Sequence, residues 1–382
     1  MTGKYIYKLS LILVILLAIL LLPRVAYDYS PAFHKITIVL SVLRVLLLFF
    51  LWLEIMNLTG LYLRNRNKSA WKKNLLALLL ACITLFVILE AVFMFVGRSH
   101  YAGYTLNAKV WFFRNWKPIN EYGYRDDPVL SAKENHVFVI GDSYTMGHGL
   151  KNYRDRYTNL LSEALSARDS TVQVNNMGKN GSDTKDEYFR LLQAEKETNI
   201  CPKLVILQYF GNDIEEVAKD NGMKFPGFDM YGDLKYGLSN LVESSYFLNY
   251  FYWRYPHNDS RPYVEFLIKA YADSAIFNKH IADLQQFVDY SRNRNIPLLV
   301  VIYPFLQDEN LSGKMYISKI AAYLNENNVQ YIDVSDLIRD IPVTERIINS
   351  NDAHPNELVN QRIAQKLEEI IIAKNLLSHG VY

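Results

Sequence analysis

The sequence predicts an α/β protein: about five parallel strands covered by helices on both faces, preceded by three transmembrane helices. Three observations carry this. From residue 136 onward, short aliphatic runs alternate with segments of helical spacing, and the runs are continuously apolar, as strands buried on both faces are. The first 98 residues hold three long apolar runs. Charge divides at the same place: residues 1–98 carry eleven Lys/Arg against three Asp/Glu (+8), and residues 99–382 carry thirty against thirty-six (−6). The net charge of +2 is therefore a cancellation between two unlike parts. A mildly acidic globular part lacks the electrostatic footprint for a phosphate backbone, so nucleic acid is not an expected partner. Two cysteines, Cys82 and Cys201, cannot build a disulfide scaffold or a multi-thiolate zinc site. The aromatic and aliphatic content excludes intrinsic disorder.

Residues 1–98 read as a membrane anchor with spans at about 5–23, 36–63 and 74–97. A span needs roughly 20 apolar residues. The second and third runs reach that length, and the first reaches it if Lys8 snorkels. The alternative for the first run is a cleaved signal peptide with Lys4 and Lys8 as its basic head. No small-x-small cleavage site precedes Asp28, which favours the span. Arg64, Arg66, Lys68, Lys72 and Lys73 crowd the loop between the second and third runs. Such a loop stays cytoplasmic, so the N-terminus is expected inside and residues 99–382 in the periplasm or outside the cell. Arg44 and Glu90 are costly in lipid unless they face protein or water. Either they pair with each other, or each snorkels independently.

In the outer part, strands are expected at 136–140 (HVFVI), 171–175, 203–210 (KLVILQYF), 297–303 (PLLVVIY) and 329–334 (VQYIDV). Helices are expected at 155–167, 184–196, 276–293, 313–325 and 355–376. Crossovers in such a sheet are right-handed, and active residues gather beyond the carboxyl ends of the strands. Residues 215–275 interrupt the alternation and are longer than a usual connection. They hold Tyr246, Phe247, Tyr250, Phe251, Tyr252, Trp253 and Tyr255. They are read as an aromatic-rich insertion within domain 99–382. It serves as an active-site cap or a bilayer-touching surface, or it is a small subdomain whose aromatics pack on the main core; packing is favoured.

The polar motifs fall at the carboxyl ends of the expected strands. The first strand runs into Gly141-Asp142-Ser143, where a serine between strand and helix is well placed as a nucleophile. The second leads to Asn176-Met-Gly178-Lys-Asn-Gly181, and the third to Gly211-Asn212-Asp213. Asp352-Ala-His354-Pro355 precedes the last helix. Each piece alone is weak, because turns favour these residue types. Their joint placement is much stronger.

The set resembles the SGNH hydrolase superfamily, also called the GDSL esterase/lipase family. Its Ser, Gly, Asn and His match Ser143, Gly181, Asn212 and His354 in chain order. The run Asn120-Glu-Tyr-Gly-Tyr-Arg125-Asp126 looks like the lead-in of many bacterial members. The resemblance covers roughly residues 118–376 and implies a three-layer, flavodoxin-like α/β/α fold that hydrolyses acyl esters. It implies Ser143 as nucleophile, His354 as base and Asp352 as the acid that orients it. Ser143, Gly181 and Asn212 would form the oxyanion hole. The commoner family spacing puts the acid at Asn351, while Asp-x-His spacing occurs in members linked to envelope-polysaccharide acetylation. Gly181 lies five residues after Asn176, as the family pattern expects, and leaves Gly178 to the turn.

Other polar residues read as structural. His148 is expected at the surface, His136 within the strand architecture, and Asp142 as a brace for its turn. His257, His280 and His379 lack partner spacing, and Cys201 reads as a small buried residue. No His-x-x-x-His or Cys-x-x-Cys spacing occurs, so no metal and no cofactor is expected. Three activities are compatible. The leading one is a membrane-anchored serine esterase. The second passes the acyl group to an envelope glycan and requires a donor, such as a membrane protein partner. The third is an inactive glycan- or lipid-binding module. The expected partners are an acyl-ester substrate, either envelope glycan or lipid, and the bilayer.

Overall fold

The computed structural model describes residues 2–22, 31–64, 70–97, 105–227, 234, 237–255 and 261–377. The cationic residues 66 and 68 of the loop, and His257 and His379, lie outside them. Contacts divide the chain into two compact units: Met1–Arg114 with Tyr231–Pro256, and Asn115–Met230 with His257–Tyr382.

The chain begins with helices α1 (Thr2–Leu21), α2 (Pro31–Arg64) and α3 (Ala70–Phe93), followed by α4 (Ala108–Asn115). The first three contain stretches long and apolar enough to cross a membrane: Gly3–Leu21, Val39–Tyr62 and Trp71–Phe93. Then come β1 (Asn135–Ile140), the single turn α5 (Ser143–Met146), α6 (Tyr157–Arg168), β2 (Val172–Asn176), α7 (Thr184–Thr198) and β3 (Leu204–Tyr209). The long stretch after β3 holds α8 (Glu215–Asp220), α9 (Leu238–Ser244), α10 (Tyr246–Tyr252) and α11 (Arg261–Ala272). The chain ends with α12 (Ser274–Arg294), β4 (Leu298–Ile302), α13 (Glu309–Ser312), α14 (Ser318–Glu326), β5 (Gln330–Asp333), α15 (Ser335–Ile338), the hairpin β6 (Ile347–Asn349) and β7 (Asp352–Pro355), and α16 (Glu357–Ala373).

The five long strands form one parallel sheet in the order β2-β1-β3-β4-β5. This is the flavodoxin-like order, with its topological switch between β1 and β3. Successive residues point to opposite faces, so each strand feeds two cores. Phe138, Ile140, Leu207 and Val300 pack with Leu191 of α7, Leu267 of α11 and Leu284 of α12. Val137, Val139, Ile206 and Val301 pack with Leu161 of α6 and Leu367 of α16. Burying each such side chain contributes about 1.5–3 kcal/mol. Side-chain caps start the covering helices: Asp183 accepts from Asp186 N–H, Asp273 from Ala275 N–H, and Asn356 from Val359 N–H. Asn199 and Asn295 end α7 and α12 in the left-handed conformation.

In the first unit, two sequence expectations are corrected. The Lys8 ammonium lies 2.5 Å from the Glu54 carboxylate of α2. Arg44 and Glu90 do not pair. Arg44 donates to the Leu22 carbonyl at 3.0 Å and lies 5.9 Å from the Tyr246 ring centroid. The Glu90 carboxylate accepts from Ser245 Oγ (2.7 Å), Tyr246 N–H (2.8 Å) and Phe247 N–H (3.1 Å). Helix α10 begins there, and its open N–H groups need acceptors that arginine cannot supply. The second correction concerns the aromatic insertion. Phe247 packs on Phe86 and Phe93 of α3, and Tyr250 and Phe251 pack on Phe93. Residues 237–255 thus belong with the apolar helices, whereas Phe225 and Phe266 join the main core.

Candidate active site

Ser143 opens α5 immediately beyond β1, at the switch point of the sheet. The turn is pinned from several sides. The Asp142 carboxylate accepts from Tyr144 N–H at 2.8 Å, capping the short helix. Gln208 of β3 uses one oxygen to accept from Asp142 N–H (2.9 Å) and from Thr145 Oγ (3.0 Å). Asn176, at the end of β2, donates to the Thr145 carbonyl at 2.6 Å and accepts from Gly178 N–H at 3.0 Å. Asp142 therefore braces the turn, as expected.

The family-like lead-in completes this scaffold. One Asp126 oxygen accepts from Asn176 N–H (2.8 Å) and the other from Arg156 Nη2 (2.9 Å). Arg156 is fully buried and also donates to the Tyr153 and Arg125 carbonyls. Arg125 donates to the Gly147 carbonyl (2.5 Å) and the Leu150 carbonyl (2.8 Å), and its guanidinium lies 4.2 Å from the Trp116 ring centroid. Two buried arginines thus hold the loop that follows the Ser143 helix.

His354 enters from β7, in the antiparallel hairpin with β6. Its Nε2 lies 2.8 Å from Ser143 Oγ, and its Nδ1 lies 2.6 Å from Asp352 Oδ1. The same Asp352 oxygen accepts from the His354 backbone N–H at 3.3 Å. The hydrogen-bonded carboxylate is thus Asp352, two residues before the histidine. Ser143, His354 and Asp352 are brought together across 211 positions of sequence.

Gly181 and Asn212 lie beyond β2 and β3, the two neighbours of β1. Gly181 has φ +70°, a conformation that L side chains rarely adopt. Gly178 has a different constraint. A Cβ there would fall on Met146 N and 2.8 Å from the Thr145 carbonyl carbon. Its N–H is already given to Asn176. Among the described contacts, the Gly181 N–H goes to no backbone acceptor. Asn212 sits in the turn closed by Asp213, which accepts from Phe210 N–H at 3.0 Å.

One expectation at the site is overturned. His148 is not at the surface but 1% exposed, with its ring centroid 4.6 Å from that of His354 and 5.8 Å from that of Trp116. Burial, followed by the charge of His354, pushes its pKa down to about 3, so it is neutral. Left-handed glycines on either side, Gly147 and Gly149, fold the loop back over the hairpin, which local sequence does not reveal. His148, Asp352 and His354 each offer a donor atom within 4.8 Å of the others. The two nitrogens of His354 already face Asp352 and Ser143, so an ion at Nδ1 would displace the hydrogen bond to Asp352. Elsewhere, Cys201 is exposed rather than buried, because the chain turns inward only at Pro202. His136 is structural, with Nδ1 3.0 Å from Asn175 Nδ2.

Behind the turn lie three nearly inaccessible carboxyl groups, Asp142, Glu187 and Asp213. Burial raises the pKa of each. The other acids push Glu187 and Asp213 well above the usual carboxylate range, while Tyr144 N–H and the His354 charge moderate Asp142. Sequence reasoning missed His148, Gln208, Glu187, Arg156 and the bracing role of Asn176. Arg125 and Asp126 carried a signal only through the lead-in resemblance.

A sequence model of the GDSL-like Lipase/Acylhydrolase family matches residues 139–362, more than half of the chain. No curated protein matches. Among solved structures, a putative lipolytic G-D-S-L protein from Desulfitobacterium hafniense DCB-2 is 16% identical, with 62% of this chain and 99% of that chain covered and a TM-score of 0.36. A G-D-S-L family member from Veillonella parvula DSM 2008 is 14% identical, with 63% and 99% covered and a TM-score of 0.37. The psychrotrophic esterase EstA from Pseudoalteromonas sp. is 15% identical, with 63% and 99% covered and a TM-score of 0.38. On the family match, this chain belongs to the GDSL-like lipase/acylhydrolase family of serine ester hydrolases.

Proposed function

We propose that this protein is a membrane-anchored serine esterase whose nucleophile is Ser143. The observation that carries the reading is the hydrogen-bonded series Ser143–His354–Asp352, with contacts of 2.8 and 2.6 Å. A serine hydroxyl is a poor nucleophile until a base takes its proton. His354 Nε2 takes it as Oγ attacks the acyl carbonyl, and later gives it to the departing alkoxide. Asp352 holds Nδ1–H and stabilises the imidazolium. The Ser143 and Gly181 N–H groups and the Asn212 amide stabilise the oxyanion, each donor contributing about 10²–10³ in turnover. Water activated by His354 then releases the acid from the acyl-enzyme. The apolar helices anchor the enzyme, and the cationic composition of residues 64–73 supports a catalytic domain in the periplasm or outside the cell.

Full-length protein in detergent, given a short-chain p-nitrophenyl ester, tests this reading. Hydrolysis by the wild type and its loss in Ser143→Ala are expected. No hydrolysis by either protein, or equal hydrolysis by both, refutes it. An oligosaccharide acceptor in the same assay tests the glycan alternative, which requires acyl transfer to exceed hydrolysis.

A further inference from the structure

The segment between β3 and α11 contains an element that the hydrolase chemistry does not use. We propose that α9 and α10 form a membrane-inserted element whose exposed apolar side chains Leu238, Leu241 and Phe251 contact lipid acyl chains. The argument begins with depth. The apolar stretch of α3, Trp71–Phe93, has 23 residues. At about 1.5 Å per residue it measures about 35 Å, against a hydrocarbon core of about 30 Å. Phe86 lies seven residues before Phe93, about 8 Å inside the hydrocarbon when the excess length is shared between both ends. The Phe247 ring lies 6.0 Å from that of Phe86 and 5.6 Å from that of Phe93. Tyr246 is buried in a cluster with Leu48, Val45 and Val87, within the apolar stretches of α2 and α3, and with Met94 and Leu106 just beyond them. The start of α10 therefore lies in the outer part of the hydrocarbon, between the levels of Phe86 and Met94.

Hydrogen bonding supports the same placement. In hydrocarbon, every backbone polar group requires a protein partner. The Tyr246 and Phe247 N–H groups go to Glu90, and Leu248 N–H goes to Ser245 Oγ at 3.1 Å. The fully buried Asn249 accepts from Leu106 N–H at 3.2 Å. By the same measure the Glu90 backbone, three residues before Phe93, lies about 2 Å inside the hydrocarbon, where a carboxylate needs partners, and Ser245 Oγ with the Tyr246 and Phe247 N–H groups supplies three. With seven residues each, α9 and α10 are too short to span, so the element is half-inserted. Leu238, Leu241 and Phe251 are each about half exposed. Phe251 also packs on Phe93, so the exposed apolar surface continues from α3.

Electron paramagnetic resonance on the full chain in lipid bilayers tests the proposal. Cys82 and Cys201 are first replaced by alanine. Nitroxides are then placed through Leu241→Cys and Phe251→Cys, with Leu85→Cys on α3 and Phe189→Cys on α7 as controls. Oxygen concentrates in lipid and a nickel chelate stays in water. Expected at 241 and 251 is oxygen relaxation that outweighs nickel relaxation, as at 85, with the reverse at 189. Water-type behaviour at 241 and 251 overturns the proposal, and so does shielding from both reagents, which would mean a protein partner. Water-type behaviour at 85 would instead show that α3 does not span, and the proposal falls with it. Unsubstituted protein provides a second measurement: photolysis of diazirine-tailed lipid should label peptides from 237–255. Labelling absent there but present on α3 overturns the proposal.

Discussion

Replacing Asp352 separates two contributions that the carboxylate makes. Two donors, the His354 Nδ1–H and backbone N–H, converge on a single oxygen at 2.6 and 3.3 Å. In Asp352→Asn, the backbone N–H selects the amide oxygen for this position. The imidazole then keeps Nδ1–H and leaves Nε2 open to Ser143. What is lost is charge on a hydrogen bond that strengthens as imidazolium forms. A hydrogen bond to a charged group is worth about 1.5–3 kcal/mol. At about 1.36 kcal/mol per tenfold, kcat falls about 10- to 150-fold. Asp352→Ala also removes the acceptor that fixes the tautomer, and a catalytic histidine in the wrong tautomer costs on the order of 10⁴. The assay is p-nitrophenyl ester hydrolysis by full-length protein, comparing kcat of the wild type with Asn and Ala at position 352. An Asn variant as inactive as the Ala variant refutes the convergent-acceptor argument. An Ala variant within tenfold of the wild type removes Asp352 from the site altogether.

Four further outcomes are expected. Gly178→Ala sets carbon on Met146 N and against the Thr145 carbonyl carbon at 2.8 Å, where about 3.5 Å is comfortable, so the backbone after Ser143 moves by about 0.7 Å or more. Turnover should fall about 100-fold; Gly181→Ala, with open space around it, should show about 1–2 kcal/mol of destabilisation instead, and an unchanged kcat in Gly178→Ala would contradict the steric account. Asp126→Ala leaves the Arg156 charge buried and unpaired, and denaturant titration should show a loss of about 3–5 kcal/mol. His280 is buried beside Tyr209, and burial pushes its pKa down to about 3, so the unfolded chain takes up its proton as pH falls through 6.5 and stability is lost from there towards pH 3. The stability of wild type relative to His280→Gln should therefore decline by about 2 kcal/mol between pH 6.5 and 5, and a constant difference would show that the ring titrates freely. Glu187 has the opposite sign: with its folded pKa raised, its stabilisation is lost as pH rises, so Glu187→Gln should gain on the wild type between pH 5 and 8 in thermal melts.

The sequence by itself determined the strands of the large sheet, each within about one residue; in β1, β3 and β4 this is because near-continuous aliphatic runs have few alternatives to a doubly covered strand. It also picked out the motif residues, since polar turns beyond strand ends are local patterns. What it could not determine were partnerships between distant segments. Lys8 found Glu54 and Glu90 found α10, because a buried charge takes whichever complementary group the packing brings closest. His148 passed for a surface residue because its burial depends on the β6–β7 hairpin, about 200 positions away. That hairpin also decides what meets His354: the commoner spacing of the acid falls on Asn351, which has no carboxylate, and Asp352 stands one residue nearer the histidine. Register in the hairpin puts the Asp352 carboxylate on Nδ1. The aromatic insertion shows the same division. Composition marked residues 246–255 as apolar, but which apolar surface they joined depended on Glu90, one acceptor for three donors and 155 positions away from Ser245.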